Sequence, residues 1–156
     1  MTPLEGQARA LADGVDAALP GWVERSVEHL LVAYTGSADP AAMAAAREAG
    51  ERARSDVGAR VRALLETDID DQHTNPLSIL RQAVTYPTEV LRRAGVPPVE
   101  RDRFAEEHFP GDDYDLTPAS FADIDPSLFD AGLEWGAAKA WVHKQRHAGP
   151  RNGVPR

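Results

Sequence analysis

His143 and His147, in the segment HKQRH, lie four residues apart. On a helix that spacing puts two imidazoles on one face, where both can reach one cation. The segment lacks the glutamate that follows the first histidine in zinc-protease helices, and Lys144 and Arg146 also read as a basic helix terminus complementing the macrodipole. A second group of ligand-type residues is TDIDDQHTNP at 67–76, where Asp70 and His73 have the i,i+3 spacing of di-iron helices without the repeated Glu-x-x-His pair. If the 68–75 connection folds against the end of the last helix, Asp70, His73, His143 and His147 form a candidate metal site. The capping chemistry of Asn75-Pro76 accounts for the same stretch as a connection between helices. A third stretch, DIDPSLFDAGLE at 123–134, sets Asp123, Asp125, Ser127 and Glu134 at positions 1, 3, 5 and 12 of a calcium loop. Position 6, which needs glycine, is Leu128, so Asp125-Pro126 reads more simply as a helix start.

Other chemistry is excluded or left without a template. The chain has no cysteine, which removes disulfides, thiolate metal sites and cysteine nucleophiles. There is no nucleophile elbow, no phosphate-binding loop, no dinucleotide glycine fingerprint and no H-E-x-x-H. These absences weigh toward a non-enzymatic protein, and no cofactor is expected. The net charge is −8 over 156 residues. It is concentrated in residues 67–125, which hold thirteen acids and five arginines, while 126–156 hold two acids and five bases. Such a balance argues against binding a phosphate backbone, and acids interleave with the arginines of 47–62. The absence of a long apolar run argues against a membrane partner and, with the lack of cysteine, for a cytoplasmic protein.

The elements that must position these residues read as helices. No run alternates in the manner of a half-buried strand, so the expected class is all-α: a single-domain bundle of about six to seven helices, some short. The domain is expected over 1–148, with 149–156 a flexible basic tail. Four pairs, Asp39-Pro40, Asn75-Pro76, Thr117-Pro118 and Asp125-Pro126, each set a capping oxygen before a proline at the first helical position. Pro20-Gly21 is expected to divide the opening segment into helices over 4–18 and 21–35, the second burying Val23, Val27, Leu30, Leu31 and Tyr34. A helix over 40–66 carries the stripe Met43, Ala46, Gly50, Ala53, Val57, Val61 and Leu64. From Asn75 a further helix meets Tyr86-Pro87, where it kinks or restarts, and ends at Gly95. A short one, opened by Pro97-Pro98, turns Phe104 and Ala105 inward. The last runs over 126–147, and its Gly132, Gly136 and Ala140 predict close packing against the Ala46, Gly50 and Ala53 stripe or a homodimer.

The stretch YPTEVLRRAGVPPVERDRFAEEHFPGDDYDLTPASFADIDPSLFDAGLEWGAAKAWVHKQR, from Tyr86 onward, resembles a family of small uncharacterised actinobacterial proteins. The resemblance implies a cytoplasmic bacterial setting and assigns no activity or site residue. Two functional readings follow from the residues. In the first the protein is a non-enzymatic interaction or regulatory module, presenting Tyr86, Phe109, Asp112, Asp113 and Tyr114 as an aromatic and acidic surface to a protein partner. In the second it is a metal-binding helical domain, or a metal-dependent enzyme, built on the histidines and aspartates named above.

Overall fold

The computed structural model describes residues 3–153. Helix α1 is Pro3–Thr35. After a turn at Gly36, whose φ of 87° suits a residue without a Cβ, α2 runs over 40–66 as Pro40–Ala53, a π-helical turn at Arg54–Gly58, and Ala59–Glu66. A 3-10 turn at Ile69–Asp71 leads to α3, over 76–93, which passes through a 3-10 segment at Arg81–Val84. Helix α4 is the short Arg103–His108, a second 3-10 turn covers Phe121–Asp123, and α5 is Leu128–Gly153. No strand occurs among the described residues, so the all-α class stands.

Helix α1 is the axis of the bundle, packed against α2, α3 and α5. It is one continuous helix, not the pair expected from Pro20-Gly21. A proline inside a helix forfeits one backbone bond and crowds the preceding turn. Here that turn is gripped from outside. A Cβ on Gly50 would stand 2.9 Å from Pro20 Cα and one on Gly58 3.0 Å from Asp16 Oδ1, so both glycines let the α2 backbone press onto the proline turn. Leu11, Val15 and Leu19 before the proline and Trp22, Val23 and Val27 after it all enter the same core, which holds both halves collinear. Tyr34, expected inside, is exposed.

The π turn explains a register difference in α2. Ala46, Ala53, Val57 and Val61 are buried as their spacing predicts, but the inward residue beyond them is Leu65 and not Leu64. The wider turn shifts the buried face by one position. The Gly132 and Gly136 stripe does not meet this helix either: a Cβ on Gly132 would press on Phe121, one on Gly136 would meet nothing within 4 Å, and the close contact between α5 and α1 is at Gly14, beside Leu128.

In α3 the α-helical path gives way to the 3-10 segment at Arg81–Val84 and restarts at Thr85, so the Tyr86-Pro87 step falls in the first turn of the renewed helix. Pro87 cannot bond back one turn, and the tighter 3-10 geometry of Arg81–Val84 absorbs that loss. Gly95, at φ 79°, closes the helix with the Val96 amide reaching the Leu91 carbonyl at 3.1 Å. Of the four proline pairs, Asp39 and Asn75 cap helices with amide bonds of 2.9 Å. Asp125 receives the Ser127 amide and hydroxyl just before α5. Thr117 opens no helix because its amide and hydroxyl are both given to Asp112, and the following turn is begun by Ser120 instead. Helix α4 starts at Asp102, not at Pro97-Pro98, and it leaves Phe104 outside, stacked on His108 with ring centroids 4.0 Å apart. Helix α5 continues beyond 147 to Gly153, since a proline near a helix end removes only one bond. Of the expected tail, 154–156 lie outside the described residues.

The Tyr86 hydroxyl donates to Asp56 on α2, with Arg52 5.9 Å from the ring centre. Burial first, and then this bond, pushes the phenol up to about 12. A raised folded value favours the protonated phenol, so the contribution is whole below the unfolded value near 10 and is lost as pH climbs toward 12. Tyr86→Phe is expected to cost about 1 kcal/mol at neutral pH and to flatten the decline of stability above pH 10, read from urea midpoints. An unchanged decline would show that Tyr86 is not its source.

Candidate metal centre

The residues expected to present an acidic and aromatic surface separate. Asp112 and Tyr114 are interior, at 2% and 3% exposure. Asp112 is a knot: its carboxylate accepts the amides of Tyr114 at 3.3 Å, Leu116 at 2.9 Å and Thr117 at 2.6 Å, and the Thr117 hydroxyl at 2.6 Å. Tyr114 donates its hydroxyl to the Val96 carbonyl at 2.6 Å, and burial raises its phenol above the usual value. Neither residue is available to a partner in this fold, because the run GDDYDL folds inward around its own backbone amides. Asp113 is half-buried and held by Arg92 at 2.6 Å; Tyr86 is packed against the core. Only Phe109 of the five is exposed.

The ligand-type residues behave differently. The 67–75 connection folds against the C-terminal part of α5, and Asp70, His143 and His147 each offer a ligand atom within 4.8 Å of the others. The 3-10 turn fixes the aspartate. Asp68 caps that turn by accepting the Asp70 amide at 3.0 Å, and Gln72 ties its far end, donating to the Thr67 carbonyl at 2.8 Å and accepting from Lys139 of α5 at 3.1 Å. The histidines come from one face of α5, their ring centres 4.3 Å apart. Thus a turn and a helix separated by some seventy residues supply one group of donors.

Arg146 orders the carboxylates. Its guanidinium lies 2.6 Å from Asp68 Oδ1 and 3.0 Å from Asp70 Oδ2, and the other oxygen of Asp70 lies 3.2 Å from His147 Nε2. The hydrogen bond from His147, then that from Arg146, holds the Asp70 carboxyl below the usual carboxylate range, and Arg146 does the same for Asp68. A tetrahedral ion at ~2.0–2.1 Å from its ligands sets donor atoms roughly 3.3 Å apart, which the Asp70 and His147 pair already satisfies. All three residues are exposed, so an ion can reach them directly from solvent. Asp68 and Arg146 also belong to the wall of a cavity of about 390 Å³, whose apolar side includes Leu4, Leu65, Ile69 and Trp135. The buried Trp135 indole N–H finds no acceptor among the described residues.

His73 does not join the group. The i,i+3 alignment with Asp70 needs helical backbone through 73, but the turn ends at Asp71 and Gln72 is extended. His73 is left exposed beyond it. The calcium reading of 123–134 also lapses: Asp123 is spent on the amides of Ala119 and Ser120, and Asp125 on Ser127. Sequence reasoning missed Asp68 and Arg146, whose pairing joins positions 78 apart; the signal was the arginine between the two histidines. Among the described residues no helix is long and apolar enough to cross a membrane. In comparisons with protein-family models, curated proteins and solved structures, none matches this chain.

Proposed function

We propose that this protein binds one divalent transition-metal ion, of the zinc class, through Asp70, His143 and His147. The observation that carries the reading is the convergence of these three donors from two distant parts of the chain. Two imidazoles favour zinc and its first-row neighbours over calcium and magnesium, which take oxygen ligands. Three protein ligands leave a fourth position for water or a small ligand. Arg146 acts on the aspartate from behind, fixing one oxygen while the other faces the imidazoles, as outer partners of metal-bound carboxylates do. The two aspartates and Arg146 together leave a single negative charge, which a dication can partly offset. Bound metal would tie the 67–75 connection to α5.

Calorimetric titration of tag-free, chelator-treated protein with zinc tests this. About one ion per chain is expected, with His143→Ala and His147→Ala each weakening binding by at least tenfold and His73→Ala leaving it unchanged. Equal zinc uptake by the His143→Ala, His147→Ala double variant would sink the assignment.

A further inference from the structure

Helix α5 buries one side against α1 and carries a second apolar face on the opposite side. Phe129, Leu133 and Trp141 are 56%, 58% and 60% exposed, and Ala137 and Ala140 lie exposed between them. Their spacings of three and four residues place them along one stripe, from which the core-facing Leu128 and Trp135 are excluded. Such residues on a helix end would be unremarkable singly, but a continuous stripe marks a surface to be covered.

The charges beside the stripe say what covers it. Asp130 and Glu134 flank its N-terminal half, and Lys144 stands at its C-terminal end. An identical helix laid antiparallel, with the two-fold axis at Ala137, pairs each position with the one equally far on the other side of 137. Leu133 then faces Trp141 of the second copy, Asp130 faces Lys144, and Glu134 packs over Ala140. The small side chain of Ala137 sits at the crossing, beside Gly136, around whose Cβ position nothing lies within 4 Å. A parallel arrangement would instead set Asp130 on Asp130 and Lys144 on Lys144. We propose that the outward face of α5 binds the same face of a second copy of this chain, antiparallel about Ala137. The face differs from the Gly132, Gly136 and Ala140 ridge in one respect: Gly132 is turned inward onto Phe121, and Leu133 and Trp141 supply the contact.

A seam of about four helical turns is small against the roughly 800 Å² per partner of a standard interface, so association in the micromolar range is expected. Sedimentation equilibrium in chelator, over about 5–200 μM, should show mass rising from 16.9 kDa toward twice that value. Leu133→Asp and Trp141→Asp should each leave a monomer with unaltered circular dichroism. Because the two-fold repeats every contact, Asp130→Lys and Lys144→Asp should each weaken association about five- to tenfold, and the Asp130→Lys, Lys144→Asp double variant should restore it. A monomer throughout the range overturns the proposal, as does a dimer indifferent to Leu133→Asp. A dimer seen with zinc but not in chelator also overturns it, and would point to metal shared between chains; His143→Ala, which weakens the proposed metal site, should leave the α5 dimer intact.

Discussion

Zinc at about a hundred times the dissociation constant of the proposed site is expected to raise the stability of the native chain by roughly 2.7 kcal/mol, because that site exists only in the assembled fold. For a chain of this length each kcal/mol moves the melting temperature by about 2–4 °C, so a rise of about 5–10 °C is expected. The His143→Ala, His147→Ala chain should melt at the same temperature with and without zinc. The reason lies in where the donors stand. Asp70 belongs to a 3-10 turn and the histidines to α5, so the three come together only when the connection is docked, and metal binding counts as folding free energy. Calcium and magnesium should produce no comparable shift. A zinc-induced rise that persists in the double variant would place the ion elsewhere.

Asp112→Ala is expected to cost about 3–4 kcal/mol, with a fall in melting temperature of roughly 10 °C. One buried carboxylate satisfies three amides and a hydroxyl within residues 114–117, and no ladder or helix is available there to replace it. Truncation leaves the buried Tyr114 amide and the partly buried donors of Leu116 and Thr117 unpaired, one of the few mechanisms that give large single-residue effects. Asp112→Asn keeps one acceptor oxygen and should lose about half as much. Hydrogen exchange gives the local signature: protection at the amides of Tyr114, Leu116 and Thr117 should fall well before that of α1. A loss below about 1 kcal/mol would mean that water takes the carboxylate's place.

The helix starts at Asp39-Pro40 and Asn75-Pro76 were legible because cap and proline act within four residues. The same pattern failed at Thr117-Pro118, where a carboxylate five residues upstream competes for the threonine. Composition misread the acidic run: Asp112 and Tyr114 lie among charges in sequence, and charge density says nothing about which carboxylate turns inward to collect amides. All three donors of the candidate metal centre were named from the sequence, on unequal grounds. His143 and His147 are fixed by helical periodicity alone, but Asp70 joins them through a docking that only the tertiary fold specifies, and His73 drops out because the turn stops two residues short of it. Leu65 replaces Leu64 for a similar reason, since a π turn leaves no mark in a stripe of alanines and valines.

The meeting of Pro20 with Gly50 bears on the order of assembly. In isolation the segment 3–35 has a weak link at its midpoint, so its two ends can form and melt separately. It becomes a single rod of 33 residues when α2 closes over the proline turn. The continuity of the longest helix among the described residues is therefore a tertiary property, supplied by α2. Any event that loosened the grip of α2 would leave the proline turn as the point at which the rod hinges.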